Sequence, residues 1–245
     1  MVELKLKTDL HLHTADDRYD GIAHTAYELI SHAAKKDFKV LSITNHDTYT
    51  YTPELVSYAL DHDILLIPGI EKTIEGKHVL LLNAFPATEK IKTFGELRKA
   101  KNDGLFVVAP HPFFRAHHCL GNKLIEHIEL FDAVEYSYFY TRWINFNRKA
   151  LAVAREYRLP LIGNSDCHVL NYMGVSHSII TSPYKTESAI FEAIREHRVK
   201  VVSRPQPFHR LLSMFINMQI KLHMNGKNGR VQPADNKPFK LPLAG

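Results

Sequence analysis

The sequence predicts an α/β fold organised on a largely parallel sheet, and three observations carry that prediction. Apolar runs of strand length alternate with helical-period stripes over about 200 residues. The runs are continuous rather than alternating, as in strands covered on both faces. Residues able to bind metal or carry protons recur just after these runs, at the strand ends where parallel β/α folds build sites. A chain of 245 residues accommodates one α/β barrel or two small domains.

The first element is Asp9-Leu10-His11-Leu12-His13, whose apolar and polar residues alternate with period two. In an extended strand His11 and His13 project to one side, roughly 6.6 Å apart, close enough to converge on one metal ion. Taken alone, the pair reads equally well as a surface strand with two chance histidines. A polar stretch from Thr14 ends in the turn signal Asp20-Gly21. A helix over 24–36 follows from the stripe Ala26, Leu29, Ile30 and Ala33, then a strand over 40–44 ending in Asn45-His46-Asp47.

Pro53 suits the first turn of a helix reaching Asp61. The run 64–67 ends at Pro68-Gly69-Ile70-Glu71, and His78 opens a strand over 79–82. Thr93 and Glu96 form a capping box for a helix that stops at Asp103-Gly104. The strand 105–109 ends in Pro110-His111-Pro112, and a short helix (123–130) precedes the strand 133–136. After a helix over 144–157, the strand 161–163 runs into Asn164-Ser165-Asp166-Cys167-His168. Asp166 and His168 repeat the opening i, i+2 geometry, with Cys167 turned away. A strand (175–181), a helix (186–197) and a strand (199–202) close the pattern. Residues 1–203 are therefore read as the catalytic barrel and 204–245 as a C-terminal extension, with an amphipathic segment (208–222) and then a basic tail.

Composition narrows the function. Sixteen histidines exceed what solubility or packing needs and favour metal or acid–base chemistry. The net charge is +5, but residues 217–245 hold five Lys/Arg against one acid, leaving the first 216 residues at +1. The body is thus a poor electrostatic match to nucleic acid, and the tail is the candidate contact for it. Two cysteines without a CxxC exclude a disulfide scaffold and a Cys-type structural zinc site. No leader-like segment and no run near 18 apolar residues is present, so the expectation is a cytoplasmic protein with no membrane partner.

The order of DLHLH, Asp20-Gly21, Thr-Asn-His-Asp at 44–47, Gly-Ile-Glu at 69–71, His78, Ala-Pro-His-Pro at 109–112 and Asn-Ser-Asp-Cys-His at 164–168 resembles the PHP (polymerase and histidinol phosphatase) family. The likeness spans residues 8 to about 203. It implies a distorted (β/α)7 barrel and a cluster of two or three divalent ions, Zn, Mn or Fe. By resemblance His11, His13, Glu71 and Asp166 hold one ion. Asp20, His46 and His168 hold a second, and Glu71, His78 and His111 a third, with Glu71 bridging. Asp9 and Asn45 are expected behind the ligands, with Asp9 orienting a ligand histidine.

Two departures stand out. The family's Ser-Asp-Gly is replaced by Arg18-Tyr19-Asp20-Gly21, which leaves Asp16 and Asp17 as alternatives to Asp20. Asn45 stands where many members carry Asp. Glu135 sits near the place where histidinol-phosphate phosphatases have a further histidine.

The resemblance implies hydrolysis of a phosphate ester of a small metabolite or nucleotide by a metal-bridging hydroxide, with no Ser or Cys nucleophile. His177 is a candidate proton donor, and Arg115 a candidate phosphate clamp because guanidinium matches phosphate bidentately. His24, His32, His62, His127, His197 and His223 are assigned to solvent-facing surface. The alternatives are an exonuclease-type phosphodiesterase trimming oligonucleotides, and an inactive metal-stabilised interaction module. The sequence leaves the resident metal and the oligomeric state open.

Overall fold

The computed structural model describes residues 3–207; the expectations for the amphipathic segment, the basic tail and His223 lie outside the described residues. In chain order the elements are β1 (Leu4–Leu12), α1 (Ala26–Lys35), β2 (Val40–Ile43), α2 (Pro53–Asp61), β3 (Leu65–Ile74), β4 (Lys77–Leu82), α3 (Phe94–Lys101), β5 (Phe106–Ala109), α4 (Lys123–Glu126), β6 (Ala133–Tyr136), α5 (Asn147–Glu156), β7 (Leu161–Gly163), β8 (Ser176–Ser182), α6 (Glu187–Arg195) and β9 (Val199–Ser203). The starts of α2 and α3 follow the signals read in the sequence at Pro53 and Thr93. Thr93 Oγ1 accepts from Glu96 N at 3.1 Å and Glu96 Oε2 accepts from Thr93 N at 3.1 Å. Thr25 and Glu28 cap α1 in the same reciprocal way.

Among the described residues nine strands form one sheet in the order β7-β6-β5-β4-β3-β2-β1-β8-β9. β1, β2 and β3 pair in parallel, as do β5, β6 and β7. β4 is antiparallel to β3 and β5, and β8 is antiparallel to β1 and β9. Seven strands therefore run one way and two the other, which corrects the expected seven-stranded count while keeping the barrel. The sheet curls until β7 meets β8: Gly163 N donates to Ser178 Oγ at 2.9 Å, and that hydroxyl donates to Gly163 O at 3.0 Å. A Cβ at residue 163 would lie 2.8 Å from His177 O and from Val201 Cγ1, so only glycine lets the edges approach this closely.

The extra length of β3 has a local cause. Glu75 and Gly76 both have positive φ, 48° and 75°, the geometry of a tight hairpin turn, and they fold β4 back on β3. Glu71 accordingly sits within a strand, paired with Leu80, rather than in a loop after one.

One apolar cluster gathers Leu6, Leu10, Val40, Ile67, Leu80, Phe106, Ala133, Ile162 and Ile180 from eight strands, with Ile190, Phe191 and Ile194 of α6. This is the barrel interior, closed by α6. A second packs α1 and α2 on Leu12, Leu41 and Ile43, and a third packs α3, α4 and α5 on β3–β6. Leu10 and Leu12 thus belong to different layers. The pairing register of β1 against β2 shifts between Asp9 and Leu12. Such a shift re-aims side chains, and it turns His11 and His13 inward while Leu12 goes out to α1. No described helix is long and apolar enough to cross a membrane.

Candidate metal centre

One end of the barrel collects imidazoles and carboxylates from six parts of the sheet. β1 and the residue after it supply His11 and His13, the segment after β2 His46, β3 Glu71, β4 His78, the segment after β5 His111, and the segment after β7 Asp166 and His168. Glu71 lies at the middle. Its Oε2 is 3.2 Å from His11 Nε2, 3.3 Å from His13 Nε2 and 3.0 Å from His46 Nε2. Its Oε1 is 2.9 Å from His78 Nδ1 and 3.3 Å from His111 Nε2. Asp166 Oδ1 lies 3.4 Å from His11 Nε2 and 3.3 Å from His13 Nε2. Asp20 Oδ2 lies 3.0 Å from His168 Nε2.

This spacing fits a bound cation. Ligand bonds of about 2.0–2.2 Å at octahedral to tetrahedral angles put neighbouring ligand atoms roughly 3.0–3.5 Å apart. His13 Nε2 is fully buried and has no hydrogen-bond partner, though two carboxylates lie near it. A buried unpaired nitrogen costs free energy unless something binds it. His11, His13, Glu71 and Asp166 form one group whose candidate ligand atoms lie within 4.8 Å of one another. His13, His46 and His168 form another, as do His46, Glu71 and His78.

Four of the rings, those of His11, His13, His46 and His111, are held from behind. Glu135 Oε2 accepts from His11 Nδ1 at 2.8 Å and from Asn164 Nδ2 at 3.1 Å. Asp17 Oδ2 lies 3.0 Å from His13 Nδ1 and 2.8 Å from His46 Nδ1. His111 Nδ1 meets Cys119 Sγ at 3.3 Å. With Nδ1–H donated outward, each Nε2 presents its lone pair to the centre.

Electrostatics agree. Burial opposes charge on His11, yet Asp166, Glu71 and Glu135 hold it well above the usual histidine range. Burial likewise opposes charge on His46, but Glu71 and Asp17 push it up to about 9. Against their burial, the surrounding imidazoles hold Glu71 and Asp166 well below the usual carboxylate range. The two carboxylates thus favour positive charge on the imidazoles around them, the charge a cation would supply in their place.

All nine residues expected at the centre come together there. The three aspartates of the segment after β1 separate: Asp16 is exposed, Asp17 backs His13 and His46, and Asp20 faces His168. Asn45 braces Thr14, accepting from its backbone N at 2.8 Å and donating to its hydroxyl at 2.8 Å. Asp9 corrects the expectation of a ring-orienting acid. It accepts from Ser165 Oγ at 2.5 Å, from Ser165 N and from His11 N, tying β1 to the segment after β7. His11 is oriented by Glu135 instead.

His177 is not brought to the centre. Its ring packs edge-on to Phe38 at 5.7 Å and its Nδ1 donates to Gly174 O, because its place on β8 turns it to the α1 layer. His24 is buried rather than solvent-facing, with Nε2 donating to His13 O at 2.9 Å. Arg115 is exposed and lies 5.7 Å over the Phe146 ring.

Glu135 was visible in the sequence as an acid inside an apolar strand, the signature of a buried partner. His118, stacked on His78 at 4.4 Å, gave no comparable signal.

Residues 145–199, which carry α5, β7, Asp166, His168, β8 and α6, match a family model described as PHP-associated. An uncharacterized protein of Methanocaldococcus jannaschii is 25% identical over 144 residues, 52% of this chain and 82% of that one. A two-domain Bacteroides vulgatus protein containing a predicted PHP-like metal-dependent phosphoesterase superposes with a TM-score of 0.59 at 16% identity, over 88% of this chain and 70% of the other. The lesion-specific endonuclease PfuEndoQ of Pyrococcus furiosus superposes with a TM-score of 0.62 at 13% identity, over 86% of this chain and 66% of the other. These two share the fold, and the matched segment carries part of the ligand-bearing edge. The chain is thus similar to the PHP-associated family over residues 145–199, and to PHP-like phosphoesterase structures in fold.

Proposed function

We propose that the chain is a metal-dependent phosphoesterase. The observation that carries this is the buried, unpartnered His13 Nε2 amid His11, Glu71 and Asp166. His11, His13, Glu71 and Asp166 hold one divalent ion, Asp20, His46 and His168 a second, and Glu71, His78 and His111 a third. The mixed imidazole and carboxylate donors suit Zn, Mn or Fe. The bound ions supply Lewis acidity that polarises the phosphoryl oxygen and lowers the pKa of the attacking water.

The chain's own residues do the rest. Glu135 and Asp17 fix the tautomers and ring planes of His11, His13 and His46. Burial of Glu71 and the β1 histidines keeps bulk water from competing for the ligands. Arg115, exposed on the segment after β5, is the candidate clamp for the scissile phosphate.

The substrate is a phosphate ester of a small metabolite or nucleotide. A nuclease is the second reading, favoured by the fold shared with PfuEndoQ, itself a lesion-specific endonuclease.

Elemental analysis of the purified protein, with a panel of phosphomonoesters, phosphodiesters and oligonucleotides in Mn²⁺ and Zn²⁺, tests the reading. His13→Ala is expected to lose metal and hydrolysis together. A metal-loaded protein inert toward every ester would overturn the enzymatic reading and leave a metal-stabilised interaction module.

A further inference from the structure

We propose that Arg18 selects the substrate, its guanidinium taking a second, non-scissile anionic group next to the phosphate at the metal centre. This inference rests on the phosphoesterase reading above.

The segment carrying Arg18 is pinned to the centre on both sides. Asp17 Oδ2 engages His13 Nδ1, His46 Nδ1 and His46 N, at 3.0, 2.8 and 2.8 Å. The other oxygen of the same carboxylate accepts from Tyr19 N at 2.9 Å and Asp20 N at 3.0 Å. Asp20 in turn reaches His168 Nε2 at 3.0 Å. One carboxylate thus orients two candidate ligands and folds the turn on which Arg18 and Tyr19 ride. Each Cα of that pair is a single step of about 3.8 Å from a residue fixed to the centre.

The Arg18 side chain is 57% exposed and Tyr19 is 61% exposed, with the Tyr19 ring edge-on to His46 at 6.1 Å. The Tyr19 hydroxyl meets Asp47, which holds its ring on the same turn as the guanidinium.

The ion pair of Arg18 is exchangeable. Glu89 Oε2 lies 3.7 Å from the guanidinium, beyond N–H···O hydrogen-bond distance. At that exposure such a pair contributes little. The other oxygen of Glu89 already accepts from Tyr49 N at 2.8 Å. Five guanidinium donors are therefore open to a planar or tetrahedral oxyanion. Of the other cations, Lys72 is paired with buried Asp47, and Arg115, over Phe146, is the candidate for the scissile phosphate. Arg18 grows from the turn behind the His13 and His46 rings, so it reaches the rim rather than the ligand atoms. That location suits a second charge on the substrate, not the scissile phosphate itself.

Calorimetric binding of orthophosphate and pyrophosphate to the full-length, Mn²⁺-loaded protein tests the proposal, with metal content checked for every variant. The wild type is expected to bind pyrophosphate the more tightly. Arg18→Met should weaken pyrophosphate by about tenfold or more, the loss of a charge-assisted pair, and orthophosphate by less than about threefold. Arg18→Lys, which keeps the charge without the fork, should fall between. Glu89→Gln should tighten pyrophosphate. Equal losses for both anions at unchanged metal content, or no loss, would overturn the role of Arg18 alone. A wild type that binds neither anion would bring down the phosphoesterase reading and this inference together.

Discussion

Glu135 is the most informative residue to perturb, because its effect on metal binding separates from its effect on the fold. It is buried among three donors: His11 Nδ1 at 2.8 Å and Asn164 Nδ2 at 3.1 Å on Oε2, and His111 N at 3.3 Å on Oε1. Glu135→Gln keeps the shape but offers one acceptor. If its oxygen takes the Oε2 position, His11 and Asn164 keep their bonds and the new amide faces His111 N, donor against donor. The cost of one buried unsatisfied donor is about 1–3 kcal/mol, and for a domain of this size about 2–4 °C in Tm per kcal/mol. The bond to His11 also loses its charge, which makes Nε2 a poorer ligand. Replacing such a partner weakens metal binding by about 10–100-fold, equivalent to roughly 1.4–2.7 kcal/mol. Competition with a fluorescent chelator measures the affinity, and thermal denaturation of the metal-free protein measures the fold. A variant that melts lower yet binds metal within twofold of the wild type would refute the claim that Glu135 tunes His11.

Two further outcomes follow from the same geometry. His46 is pushed up to about 9 in the metal-free protein, so it holds its proton at pH 7 and must release it to bind a cation. Metal affinity should therefore rise with pH up to about 9, and titrations in buffers of different ionisation enthalpy should register net proton release; buffer-independent heats would sink this. Gly163→Ala should open the seam between β7 and β8, since its Cβ would stand 2.8 Å from His177 O and Val201 Cγ1. Overpacking of that kind costs about 1–3 kcal/mol, read as a lower urea midpoint.

Most of the centre was legible because its candidate ligands come from short spacings at strand ends. His11/His13 and Asp166/His168 are i, i+2 pairs, and the sheet order brings β1 and β7 toward the same cavity through β8. Three things were not legible. The β3–β4 hairpin hides in Glu75-Gly76, an uncommon turn dipeptide, so Glu71 reads as a loop residue when it is in mid-strand. The register shift in β1 leaves no mark on the alternation of Leu and His, yet it sends Leu10 and Leu12 to different layers. The roles of Asp16, Asp17 and Asp20 depend on how one turn folds, and three nearby aspartates carry the same chemistry in the sequence.

The position of Glu71 explains why these features belong together. A carboxylate at the end of a strand has one side open to solvent, whereas one within a paired strand presents both oxygens to the cavity. Oε2 faces His11, His13 and His46 while Oε1 faces His78 and His111. Extending β3 through the hairpin thus gives one acid contact with both halves of the cluster, and β4 delivers His78 across the same turn. Burying Glu71 and Asp166 costs several kcal/mol per ion unless positive charge meets them. Hydrophobic residues of similar volume would stabilise the barrel at least as well, so packing gives no reason for this cluster. Compensating cations do, and the unpaired His13 Nε2 marks where one would be most firmly held.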